Sequence, residues 1–78
     1  MQGKNRFTRA EMGQIRSLLR EKERSPRSEQ KSVRSRLRRL GFFITDFDRS
    51  YQGFTVIDLE NLVRIGMVTI DEVGIVSR

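Results

Sequence analysis

Residues 28–43 read SEQKSVRSRLRRLGFF, and much of the architecture turns on them. Five basic side chains fall between Lys31 and Arg39. Val33, Leu37 and Leu40 are spaced among them at four and three residues, and Gly41 then introduces two phenylalanines. Apolar residues at that spacing make a helix with one buried stripe. Gly41 suits the left-handed residue that closes such a helix. Upstream, Ser25 can cap and Pro26 fits the first helical position, where its missing N–H is not needed. The stretch therefore predicts a helix over 26–40.

Two further helices are signalled by their starts. In FTRAEM, Thr8 and Glu11 have the spacing of a capping box, and Phe7 with Met12 that of a hydrophobic staple. FTVIDL repeats the device with Phe54, Thr55, Asp58 and Leu59. These place helices over 9–23 and 56–65, the second stopped by Gly66. Past Gly41 the pattern changes to FFITDF, aromatic and branched, which reads as a strand over 42–47. MVTI at 67–70 is a second strand candidate and GIVSR at 74–78 a possible third, while DRSYQG reads as a polar loop. The expected fold is α+β: an N-terminal antiparallel helical hairpin followed by a small β-α-β unit with a two- or three-stranded sheet. The hairpin should bury Met12, Ile15, Leu18, Leu19, Val33, Leu37 and Leu40.

Seventy-eight residues suffice for one core, so a single domain over 1–78 is expected, with a basic part at 1–40 and an acidic part at 41–78. The first part holds 13 Lys and Arg against 4 Asp and Glu, or +9; the second holds 3 against 6, or −3. Cysteine and histidine are both absent, which excludes disulfides, thiolate metal sites and imidazole catalysis. No apolar run approaches the roughly 18 residues of a membrane span. The expectation is a cytoplasmic protein that needs no cofactor or metal and does not engage a membrane.

The arginine-rich helices carry the functional reading. At 100° per residue, Arg27, Lys31, Arg34 and Arg38 fall within an arc of roughly 60°, and Arg9, Arg16, Arg20 and Arg24 within roughly 80°. Both rows are displaced from their apolar seams in the same sense, so an antiparallel pair is expected to carry all eight on one face. Like charges at helical neighbour spacings repel by roughly 0.2–0.5 kcal/mol per pair. A helix serving stability alone would intersperse glutamates. Arginine's planar fork fits phosphate bidentately, so the expected partner is nucleic acid, DNA or RNA, held by its phosphates with little base reading. The alternative is a protein-interaction module, its basic face docked on an acidic partner or on a second copy in a homodimer. Charged flanks are also what any solvated helix shows, and Arg36, Arg38 and Arg39 complement a helix C-terminus. Gly13, costly within a helix, suggests close approach of another helix or of a ligand backbone. Asp46 and Asp48, two apart on the expected strand, could approach a divalent cation, but lack a third ligand and equally suit turn chemistry. A binding protein rather than an enzyme is expected.

Overall fold

The computed structural model describes residues 2–48 and 53–71. Their order is strand β1 (Arg6–Thr8), helix α1 (Arg9–Arg24), helix α2 (Arg27–Arg39), a 3-10 turn (Ile44–Asp46), helix α3 (Val56–Arg64) and strand β2 (Thr69–Asp71). The described chain is mixed helix and strand, with three α-helices and a two-stranded parallel sheet.

The helix ends follow from local chemistry. At α1 the box is reciprocal: Glu11 N–H donates to Thr8 Oγ1 at 3.1 Å and Thr8 N–H to Glu11 Oε1 at 2.9 Å. At α3, Thr55 donates to Asp58 Oδ2 from its N–H at 2.9 Å and its hydroxyl at 3.2 Å. The staple residues Phe7, Met12, Phe54 and Leu59 are all buried. Gly41 and Gly66 adopt positive φ, +92° and +85°. Each sits in a paired C-terminal lock. Gly41 N–H donates to Arg38 O and Phe42 N–H to Leu37 O; Gly66 N–H donates to Val63 O and Met67 N–H to Leu62 O.

Ser25 does not start α2. It closes α1 instead, its N–H on Lys22 O at 3.2 Å and its Oγ on Glu21 O at 2.7 Å. Pro26 is the cap residue of α2, in extended conformation, and Arg27 begins the helix. Gln30 Nε2 reaches back to Lys22 O, which also accepts from Ser25 N–H, and to Ser25 O, at 3.2 and 3.3 Å, fastening the first turn of α2 to the end of α1.

The expected strand over 42–47 is absent. Phe42 and Ile44 are buried, as alternation requires, but the backbone curls into the 3-10 turn, with Asp46 N–H on Phe43 O and Phe47 N–H on Ile44 O. Its place in the sheet belongs to Arg6–Thr8, which pairs in parallel with Thr69–Asp71 in the register Arg6↔Thr69, Phe7↔Ile70, Thr8↔Asp71. The expected β-α-β order is thereby replaced: one strand precedes all three helices and the other follows them. The reason is competition for partners. The arm at residues 2–5 occupies the edge of 41–46, with Lys4 N–H on Gly41 O at 2.9 Å and the N–H groups of Gln2 and Gly3 each 2.8 Å from the Asp46 carboxylate. The second expected strand is real but shifted, from 67–70 to 69–71. The possible third strand lies outside the described residues.

The core gathers Phe7, Met12, Ile15, Leu19, Val33, Leu37, Phe42, Ile44, Phe54, Leu59 and Val68. Phe42 is its hub, with ring centroids of Phe7, Phe47 and Phe54 at 5.8, 5.7 and 5.9 Å. Leu18 and Leu40 pack only partly against it. Lys22 is buried too, at 1% exposure. It continues the seam Met12, Ile15, Leu19 by three residues, so its stem packs as an apolar side chain would. Its Nζ donates to Phe54 O at 3.1 Å, tying α1 to the approach of α3.

Candidate nucleic-acid interface

The amphipathic seams of α1 and α2 turn toward the core and leave most of their cations in solvent. Of the eight sequence-predicted positions, Arg9, Arg20, Arg24, Arg27, Lys31 and Arg38 are exposed, and Arg16 and Arg34 are half-buried. Arg16 is engaged by α3: its Nε lies 2.6 Å from Glu60 Oε2 and its Nη2 3.4 Å from Oε1. Arg38 lies over the Phe43 ring, 5.3 Å from the centroid. Arg20, Arg24 and Lys31 make no ion pair among the described residues.

The structure adds two cations that sequence reasoning assigned to the helix dipole. An open groove of about 590 Å³ runs between α1 and α2, lined by Ala10, Gly13, Gln14, Ser17, Leu18 and Glu21 on one side and Arg36, Arg39 and Leu40 on the other. None of the eight expected residues lines it. At 100° per residue, Arg36 and Arg39 sit about 140° around α2 from the row Arg27, Lys31, Arg34, Arg38. On α1 the flank facing α2 carries Leu18 and Glu21, about 130° from the centre of the arginine row, while Gly13 falls within that row's arc. That row lies on the side of α3, where Arg16 meets Glu60. The two rows thus border the groove from its outer sides rather than abutting. The signal for the missed pair was present: Arg36 and Arg39 are i, i+3, and so are Ala10 and Gly13 on α1.

Within the groove, Arg36 pairs with Glu21 from the opposite wall. Arg39 is exposed and makes no ion pair among the described residues. Gly13 is exposed, and a Cβ placed on it meets nothing within 4 Å. Contact with another helix of this chain is therefore not what requires the glycine.

The acidic side chains serve the fold. The backbone hydrogen bond from Thr8 is foremost in holding the Glu11 carboxyl below its usual range, with Lys4 nearby adding to it. Burial raises the Asp46 carboxyl, but the N–H donors of Gln2 and Gly3 outweigh it, and the net direction is down. Asp46 and Asp48 are not a strand-face pair, and no cluster of three metal-ligating side chains occurs among the described residues. Burial lowers the Lys22 ammonium below the ordinary lysine value, opposed by the charges of Glu23, Asp48 and Asp58. Among the described residues no helix is long and apolar enough to cross a membrane.

In comparisons with protein-family models, curated proteins and solved structures, the chain matches none significantly.

Proposed function

We propose that this chain binds nucleic acid through its phosphates, with little base reading, using the basic surface of α1 and α2 as a binding module rather than an enzyme. The observation that carries the reading is the set Arg20, Arg24, Lys31 and Arg39: exposed, without ion pairs among the described residues, in a part of the chain with a net charge of +9. Arginine and lysine released from intramolecular carboxylates can displace the counterions of a phosphate backbone, which drives sequence-independent binding. An antiparallel arrangement of α1 and α2 is part of this reading. It is supported by the two-residue connection at Ser25 and Pro26 and by Glu21 meeting Arg36 across the pair.

The test is a titration of the full chain with mixed-sequence DNA and RNA at two salt concentrations. Affinity is expected to fall steeply with salt, the slope shrinking by about one for each phosphate-contacting arginine removed. Arg34→Glu combined with Arg38→Glu is expected to abolish measurable binding near physiological salt. Undetectable binding at low salt, or an unchanged affinity in that variant, refutes the reading.

A second reading has its own support. Ile57, Ile65 and Met67, all in the acidic part of the chain, are exposed at 74%, 57% and 47%. A second copy presenting its basic helices to that part would combine charge pairing with cover for these side chains. Light scattering across a concentration and salt series tests it, through a mass that rises with concentration and falls with salt.

A further inference from the structure

We infer that the groove between α1 and α2 seats one phosphodiester ridge of a nucleic-acid duplex, with Arg36 and Arg39 on its phosphates and Gly13 at the point of closest approach. The inference rests on the nucleic-acid reading above and centres on two arginines outside the two rows, facing Gly13, which falls within the arc of the α1 row.

Gly13 is the first support. Within a helix it sacrifices stability relative to alanine, and nothing in the described chain packs where its side chain would be. With Ala10 and Ser17 it forms a low floor, which lets an occupant approach the helix backbone. Charge is the second. Arg39 stands in the wall without an ion pair among the described residues, and Arg36 reaches across to Glu21. A phosphate entering there meets both guanidinium groups, while Gln14 and Ser17 offer hydrogen-bond donors from the opposite wall.

The surroundings favour a duplex over a single strand. The groove is bordered on both outer sides by a cationic row, so cations lie in three lanes whose spacing is set by the 8–10 Å typical of packed helices. A duplex carries one charge per about 1.7 Å of axis, twice the density of one strand, and can engage more than one lane. Single-strand sites ordinarily stack bases on aromatic rings. Among the described residues no aromatic side chain lines the groove; Phe7, Phe42 and Phe54 are buried, and Phe43 lies beneath Arg38.

Glu21 makes the assignment sharply testable, because a carboxylate in the groove both repels phosphate and holds Arg36. Fluorescence anisotropy with a mixed-sequence duplex DNA and with one of its strands, on the full chain, reads the outcome. Glu21→Gln is expected to tighten duplex binding several-fold. Arg36→Ala with Arg39→Ala should reduce the salt slope by about two and the affinity on the order of tenfold. Gly13→Leu, which places a good helix former in open space, should leave the helical circular dichroism intact and weaken duplex binding on the order of tenfold. The groove assignment is overturned if Gly13→Leu and the Arg36/Arg39 double variant bind as the parent does while Arg34→Glu/Arg38→Glu fails to bind; the broader reading then survives on the outer rows alone. It is equally overturned if the single strand binds as tightly as the duplex. Absence of binding by the unaltered chain to any nucleic acid removes both.

Discussion

The helices α1 and α2 and the segment from Gly41 to Asp71 use charge in opposite ways. Carboxylates are mostly spent on structure wherever they occur: Glu11 and Asp58 cap helices, Asp46 clamps the arm at Gln2 and Gly3, Glu23 accepts from Val56 N–H, and Glu60 holds Arg16. The cations of α1 and α2 outnumber these partners, and apart from the buried Lys22 and the half-buried Arg16 and Arg34 they remain exposed. A net charge of +6 alone would serve solubility with both signs interspersed; this chain instead concentrates its cations on two helices and, among the described residues, places its large apolar exposure on the third helix and the residues after it.

The contrast can be broken most severely at its shared core. Phe42→Ala removes the ring on which Phe7, Phe47 and Phe54 converge and is expected to cost about 3–5 kcal/mol, measured by urea unfolding. That loss should abolish any function of the basic surface along with the fold. Reversing charge on α2 separates the two. Arg34→Glu/Arg38→Glu should eliminate nucleic-acid binding while costing far less stability than Phe42→Ala, about 1–2 kcal/mol for a half-buried arginine and one stacked on Phe43.

The acidic side is probed at Asp46. Asp46→Asn keeps the shape but leaves one uncharged acceptor and turns the other oxygen into an NH2 group facing a backbone N–H, for an expected cost of about 1–2 kcal/mol after allowing for solvent. Because its folded-state carboxyl lies below the ordinary value, its contribution is complete above the unfolded value. It is lost as pH falls through the folded one, so the variant should flatten the acid limb of stability against pH. Lys22 gives the opposite sign. Its folded value is lowered, so between the folded and unfolded values the unfolded chain holds more protons, and stability rises as pH climbs toward the ordinary lysine value. Lys22→Met should remove that alkaline rise, read by chemical unfolding across a pH series. The smallest expected change is a gain: Gly13→Ala should add about 0.5–1 kcal/mol of stability, the clearest sign that the glycine is not there for the helix.

Much of this was legible in the residues. Thr8 with Glu11, Thr55 with Asp58, Gly41 and Gly66 announced helix ends because capping bonds close within a few residues and need no distant neighbour. The asymmetry of charge and the two arginine rows were likewise countable from the chain. FFITDF misled because alternation reports which side chains are buried, not which backbone supplies the hydrogen bonds. The buried Lys22 was hidden by its charge, although its spacing from Leu19 continued the seam.

By itself, the amino-acid order determined the helices, their ends apart from the start of α2, and the excess of cations on the first two, all set by interactions of short range. Tertiary structure alone decided that Arg6–Thr8 pairs with Thr69–Asp71, with Thr69 and Asn5 meeting across 64 positions, and that residues 44–46 turn rather than extend. It also decided which flank of each helix faces a neighbour, giving Glu60 to Arg16 and a groove to Arg36 and Arg39. Periodicity gives angles about a helix axis. Only packing says what stands opposite each angle.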